Sequence, residues 1–243
     1  MSEKVFILNP PYNLMSLKVN RNFALLYGIM LGDGCLSLVY GKKKFVAIAG
    51  CIYDDIPFFE KVVKPSIKKL IGKDISTKFI PSRGSIQLNF IKNSLFDFIR
   101  SFGFPVGKKG NLLFIPKIFY EKRLIKYVLR GYFATDGSLV ITDNNGTIYP
   151  RVEANGICKF LLNEINNILN YKGINCKLYL AKRKPGKVWG YTHNHPVYRL
   201  QMNGKDNLKK FTREIGFINP KQIERLNKYY MAVEGVKPSV SAL

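Results

Sequence analysis

Apolar residues recur along the chain with two periods, one near 3.6 and one of 2, and their succession predicts helices separated by hairpins. The run Ala24-Leu25-Leu26-Tyr27-Gly28-Ile29-Met30-Leu31 predicts a helix from about Asn22 to Leu31. Strands are expected near residues 35–40 and 45–50, around the turn Gly41-Lys42-Lys43-Lys44. Asp55 is expected to cap a second helix with Pro57 at an early position, and Pro65 to break or kink it. Strands near 75–81 and 85–91 flank Ser82-Arg83-Gly84, and Asn93 is expected to cap a helix that stops at Gly103. The second half follows suit, with strands near 138–142, 148–154, 175–183 and 197–203 and helices near 157–171, 205–215 and 220–231.

This order is an internal repeat. Ala24 to Gly32 leads into Asp33-Gly34 and the alternating Leu36-Ser37-Leu38-Val39-Tyr40; Leu124 to Thr135 leads into Asp136-Gly137 and Ser138-Leu139-Val140-Ile141-Thr142. Phe102-Gly103-Phe104-Pro105-Val106-Gly107-Lys108 is answered by Ile215-Gly216-Phe217-Ile218-Asn219-Pro220-Lys221, with the lysine five residues after the first glycine in each. Two similar units are therefore predicted, residues 1–115 and 116–243, joined near Leu112 to Lys122. The expected class is α+β, each unit a four-stranded antiparallel sheet backed by helices.

Strand alternation separates a dry face from a wet one. In the first unit Ile75, Phe79, Ile86, Leu88 and Phe90 oppose Ser76, Lys78, Ser85, Gln87 and Asn89, with Arg83 in the intervening turn. In the second, Cys176, Leu178 and Leu180 oppose Lys177, Tyr179 and Arg183, while Tyr198, Leu200 and Met202 oppose Arg199, Gln201 and Asn203; Arg151, Glu153 and Asn155 alternate on a neighbouring strand. Arg, Gln and Asn are the side chains that pair in bidentate fashion with guanine and adenine edges, and a two-stranded ribbon fits the major groove. An ordinary solvated sheet face looks the same. Charge decides between them: 39 Lys+Arg against 16 Asp+Glu leaves +23, divided as +10 over residues 1–115 and +13 over 116–243. Such an excess repels itself and fits a polyanionic partner, nucleic acid first and a membrane surface second, and together with the sheet faces it points to double-stranded DNA.

The helices that end in Asp-Gly carry the candidate chemistry. Glycine inside a helix costs about 1 kcal/mol relative to alanine, yet the first has Gly28 and Gly32, and the second has Gly131 and Thr135 at the same spacing. Small residues at i and i+4 let two helix backbones approach closely, so the halves are expected to dock through these helices about a pseudo-two-fold axis. Docking would bring together two helix C-termini and two carboxylates, Asp33 and Asp136, which repel one another. A hard divalent cation offsets this, and Mg²⁺, which takes few protein carboxylates and fills its other positions with water and phosphate oxygens, suits phosphodiester hydrolysis.

Leu26-Tyr27-Gly28-Ile29-Met30-Leu31-Gly32-Asp33-Gly34 and Leu129-Arg130-Gly131-Tyr132-Phe133-Ala134-Thr135-Asp136-Gly137 resemble the two signature motifs of LAGLIDADG homing endonucleases in their double-motif, single-chain form. The resemblance runs from about Asn22 to Tyr230. It implies a monomer of two pseudo-symmetric αββαββα units docked through the motif helices, with a saddle of antiparallel sheets lying along DNA. It also implies a Mg²⁺-dependent double-strand cut in a long asymmetric target leaving short 3′ overhangs, with Mn²⁺ expected to substitute and no small-molecule cofactor. The metal ligands it implies are Asp33 and Asp136, assisted by the backbone carbonyls of Gly32 and Thr135. A basic residue near each active centre, matched by position at Lys108 and Lys221, is implied to polarise water or the scissile phosphate. For the family's polar residue at the end of the second strand, the second unit offers Glu153 and Asn155; the first has only Ala47, Ala49 and Gly50, so one centre is expected to be built differently. An intron RNA maturase or a non-cutting DNA-binding protein on the same scaffold is the alternative that this resemblance leaves open. An intein-borne form is disfavoured by the Met1-Ser2 start and the lack of a terminal Asn.

Other classes find little support. The longest apolar run is about nine residues, far below the roughly 18 of a membrane span, and Glu3 with two prolines in MSEKVFILNPPYN does not read as a signal peptide. Cys35, Cys51, Cys158 and Cys176 show no CxxC spacing, which argues against zinc and for a reducing compartment, cytoplasm or organelle matrix. His193-Asn194-His195 has the letters of an HNH nuclease but no neighbouring ligands, and is expected to be a loop between strands.

Overall fold

The computed structural model describes residues 17–181, 187–188, 191–192 and 195–234. The first helix, α1 (Arg21–Asp33), is buried from Phe23 to Leu31, and the Asn20 side chain caps it by accepting a hydrogen bond from the Phe23 N–H at 3.0 Å. Strands β1 (Gly34–Val39) and β2 (Lys43–Cys51) follow, then α2 (Ile56–Phe58), a π-turn over Phe59–Val63 and α3 (Lys64–Ile71). Strand β3 (Lys78–Ile80), a 3₁₀ turn at Pro81–Arg83, β4 (Ser85–Ile91) and α4 (Asn93–Ser101) complete the first unit. A short linker helix α5 (Lys117–Glu121) leads to α6 (Ile125–Thr135), β5 (Gly137–Asn144), β6 (Thr147–Gly156), α7 (Lys159–Tyr171), β7 (Lys177–Leu180), a small hairpin β8 (Lys187–Val188) and β9 (Tyr191–Thr192), β10 (Tyr198–Asn203), α8 (Lys205–Glu214) and α9 (Pro220–Glu234).

The two four-stranded sheets are antiparallel with matching order, β1-β2-β4-β3 and β5-β6-β10-β7. The register matches too: Gly34 pairs with Ile48 as Gly137 pairs with Ala154, so Ala49 in the first unit corresponds to Asn155 in the second. The α+β expectation holds, and so does the docking. A Cβ on Gly28 would run into the Val128 carbonyl and lie 2.9 Å from the Tyr132 nitrogen; on Gly131 it would overlap the Leu25 carbonyl and lie 2.8 Å from the Ile29 nitrogen. Gly32 meets the Thr135 side chain in the same way. Helices α1 and α6 thus pack backbone against backbone at the centre of the molecule. Phe119 of α5 is fully buried against Phe23 and Tyr27, which ties the linker into the first unit's core.

Several local expectations give way. Neither Asp55 nor Asn93 caps a helix with its side chain. Asp55 makes longer-range bonds instead, and the N-cap of α4 falls on Lys92. Pro65 does not break its helix: the Lys64 N–H reaches back to the Phe59 carbonyl, and this wide π-turn just ahead accommodates the ring that an α-turn would crowd. The third strand of each unit is shorter than its pattern, Lys78–Ile80 and Lys177–Leu180: the pairing of β3 with β4 begins only at Lys78 with Gln87, and beyond β7 the Ala181 N–H donates to the Val197 carbonyl at 2.7 Å. Arg183, His193 and Asn194 lie outside the described residues; His195 and Pro196 form the exposed approach to β10. No helix among the described residues is long and apolar enough to cross a membrane.

Candidate active site and nucleic-acid face

The site lies where the C-terminal ends of α1 and α6 meet. Asp33 is the last residue of α1 and Asp136 follows the last of α6. The two are brought together by the glycine contact: a Cβ on Gly32 would lie 3.4 Å from the Asp136 carboxyl carbon. Burial pushes the Asp33 carboxyl up to about 6, with Lys109 and Lys221 opposing and Asp55 adding to the rise. Asp136 is pushed up to about 7, by burial first and then by Asp33, while Lys109 and a hydrogen bond from Tyr132 oppose it. Both shifts come first from burial of the two carboxyls, and their mutual repulsion at helix ends acts in the same direction.

Lys109 supplies part of that charge. Its Nζ donates to the carbonyl oxygens of Leu31 at 3.1 Å and Met30 at 3.4 Å and makes its closest contact with that of Gly32. Burial lowers its ammonium pKa, and Asp136 and Asp33 hold it up. The carbonyls at the end of α6 are met by neutral amides instead: Asn219 donates to Ala134 at 2.8 Å, and Gln222 to Phe133 at 2.7 Å and Gly137 at 2.9 Å. Lys221, one residue before Gln222, extends to Asp55 Oδ1 at 2.7 Å and is electrostatically coupled to Asp33. A cavity of about 240 Å³ opens beside Lys109, Asp136 and Asn155.

The lysine expectation is therefore corrected by one residue. Lys108 is exposed, whereas Lys109 faces the aspartates. Gly107 and Gly110 both adopt positive φ and turn the loop between them, while Lys221 stands on a helix opened by Pro220, so equal spacing from a glycine does not place equal side chains. Asp55, Asn219 and Gln222 also belong to the site, although the sequence does not mark them as site residues. Asp55 carried a local explanation as a cap, and no motif marks the other two. The donor set of Asp33, Asp136 and the carbonyl groups beside them is all oxygen, which fits a hard divalent cation. Among the described residues no three His, Cys, Asp or Glu cluster as a closed protein-only metal site. The Gly32 carbonyl is taken by Lys109, so its availability to a cation depends on that ammonium moving.

The open sheet faces carry the expected polar residues. In the first, Lys78 pairs with Gln87 and Gln87 with Ala49, while Asn89 pairs with Ala47. Asn89 donates to Gln87 at 3.0 Å, and Ser76 and Arg83 are exposed beside them. In the second, Arg199 lies between Asn155 and Tyr179, and Gln201 between Glu153 and Lys177. Arg199 donates to Asn155 at 2.9 Å and Arg151 to Glu153 at 2.9 Å. Strands β1 and β5 start directly from the ends of α1 and α6, so each sheet begins at its own aspartate.

Two four-stranded antiparallel sheets of matching order, joined through two helices with acidic ends, define the class of fold. Residues 124–216 match a family model described as a LAGLIDADG-like domain. The whole fold matches solved single-chain homing endonucleases. I-DmoI in complex with DNA and Ca is 16% identical, with a TM-score of 0.56, over 86% of this chain and 97% of that one. I-WcaI bound to its DNA recognition sequence is 15% identical, with a TM-score of 0.58, over 90% and 94%. The LAGLIDADG meganuclease I-AabMI bound to uncleaved DNA is 13% identical, with a TM-score of 0.52, over 88% and 90%. Complexes of I-DmoI with DNA have also been solved with Mn. No curated protein matches the chain by sequence.

Proposed function

We propose that the chain is a site-specific DNA endonuclease that makes a divalent-metal-dependent double-strand cut in a long, asymmetric duplex target. The observation that carries this reading is the convergence of Asp33 and Asp136 at the ends of two helices packed backbone to backbone, each leading directly into a sheet. The excess of +23 supplies attraction to phosphates, and the relatives' DNA complexes support the same partner.

Asp33 and Asp136 would hold the metal, with the Gly32 and Thr135 carbonyls in support, Mg²⁺ as the working ion and Mn²⁺ as its substitute. When bound, the metal supplies an activated water and charge stabilisation at the phosphate. Lys109 and Lys221 place positive charge at the two sides of the pair, where it stabilises the charge that grows on a phosphorane-like transition state. Lys78, Gln87 and Asn89 in one unit and Arg151, Asn155, Lys177, Tyr179, Arg199 and Gln201 in the other face the duplex, and phosphate contacts from Arg83 and the loop lysines set its register. The two units, divided near Ile115, act within one monomer, each centre in reach of one strand. Four free cysteines suit a reducing compartment.

Incubation with a randomised duplex library, with and without Mg²⁺, followed by sequencing of the ends, tests the reading. Cleavage at one recurrent site only with metal is expected. Retention of a sequence without any cutting would make the chain a binding protein on this scaffold.

A further inference from the structure

We propose that Asp55 is a positioning residue of one active centre: by pairing with Lys221 across the two units, it fixes that ammonium beside Asp33. The inference rests on the nuclease reading above and goes beyond it, because it makes the two centres mechanically unequal.

Both oxygens of Asp55 are engaged. Oδ2 accepts from the Cys51 N–H at 2.9 Å and Oδ1 accepts from Lys221 Nζ at 2.7 Å. The Asp55 side chain is only 12% exposed and that of Lys221 33%. Gly50 makes the room: a Cβ there would lie 3.1 Å from Oδ2 and 2.7 Å from the Phe59 ring. The second unit has Asn155 on the strand where the first has Ala49, and it begins α7 after a buried thiol, Cys158, which contacts the Leu113 carbonyl at 3.4 Å. The first unit thus lacks a polar strand residue and supplies a carboxylate from the start of the following helix. Lys109, in contrast, is held by backbone carbonyls of α1.

A largely buried ion pair contributes little net stability, because desolvation offsets its Coulombic gain. What pairing does give is constraint. A lysine has a long, flexible stem, and a carboxylate that is itself fixed by a backbone N–H removes that freedom. Asp55 also contributes to the field at Asp33, so Lys221 is held on the Asp33 side of the site.

The test uses the full chain and the target selected from the library, with each strand end-labelled separately. Asp55→Asn keeps an acceptor for the Cys51 N–H and removes the charge that holds Lys221. Single-turnover cutting of one strand should slow by roughly ten- to a hundredfold, the effect of a misplaced catalytic group, while the other strand is cut as before. In a Lys221→Met background, Asp55→Asn should slow that strand no further, and Lys221→Arg, which can still pair with Asp55, should restore the sensitivity. Acetylation of lysines in the metal-free protein, read by mass spectrometry, should rise several-fold at Lys221 and not at Lys109. Additive losses, equal slowing of both strands, unchanged labelling of Lys221 or wild-type rates would each overturn the inference. A wild-type chain that cuts nothing would sink the nuclease reading and the inference with it; a wild-type chain that cuts while Asp55→Asn is indistinguishable from it would sink the inference alone.

Discussion

At the scale of single residues, the aspartates carry a conflict between stability and function. An unfolded aspartate titrates at about 3.9, whereas Asp33 and Asp136 are held near 6 and 7. Their folded-state values are raised, so at pH 8 without metal the ionised pair opposes folding, and the cost fades as pH falls through 7 and 6 toward 4. Asp136→Asn should therefore abolish cutting yet melt at higher temperature than the wild type in EDTA at pH 8. Because ~1.4 kcal/mol accompanies each tenfold displacement of a protonation equilibrium, the rise to about 7 makes the gain up to about 4 kcal/mol at pH 8, and it should disappear near pH 4. Calorimetric melting at the two pH values decides this, and a variant less stable at pH 8 would contradict the repulsion. The lysines give the second residue-level prediction. Lys109→Met should slow single-turnover cleavage by about 10²-fold, with affinity for DNA in Ca²⁺ little changed, whereas Lys108→Met should lose less than about twofold in rate. Both aspartates were legible in the sequence because repetition and the glycine spacing marked them. Lys109 was not, because a loop with two left-handed glycines has no period from which to count.

At the scale of elements, the α1–α6 contact is where the sequence is most informative and the structure least tolerant. The intolerance of Gly28 and Gly131 is steric, since each faces the other helix's backbone, which cannot rotate away. Gly28→Ala or Gly131→Ala should cost roughly 3 kcal/mol, the upper range for overpacking, outweighing the about 1 kcal/mol that alanine gains in helix propensity. Gly156→Ala meets its nearest neighbours at 3.4 and 3.5 Å and should stay within about 1 kcal/mol of wild type. Urea denaturation followed by circular dichroism ranks the three, and equal losses would remove the special status of the helix contact. The helices and hairpins were legible because burial imposes a period on them. The caps and the π-turn were less so: Asp55 looks like a cap from its neighbours alone, and only the fold reveals that Lys221, 166 positions away, is its partner. Pro65 likewise signals a break locally, but the buried Phe58, Phe59, Val62, Val63 and Ile67 keep the helix on the core through a wide turn.

At the scale of the whole molecule, charge and asymmetry act on different quantities. Both units are strongly basic, +10 and +13, so phosphate neutralisation should be shared between the two halves of a target and be indifferent to its sequence. The polar sets on the sheets are not shared: one sheet presents Lys78, Gln87 and Asn89 around two alanines, the other Arg151, Asn155, Lys177, Arg199 and Gln201. It follows that the selected target should have unlike halves. Two palindromes can be made from it, one from each half, and each mismatched base pair should cost about 1–3 kcal/mol. Both palindromes should therefore bind at least a hundredfold more weakly than the natural arrangement, a loss that corresponds to about two mismatches. The salt dependence should nevertheless remain the same for all three duplexes, with affinity falling by roughly 10³ or more between about 50 and 200 mM salt. Equilibrium binding in Ca²⁺ across that range separates the two effects. A palindrome that binds as tightly as the natural target would show that the sheet faces do not read bases, and a flat salt curve would show that the positive excess does not meet phosphates.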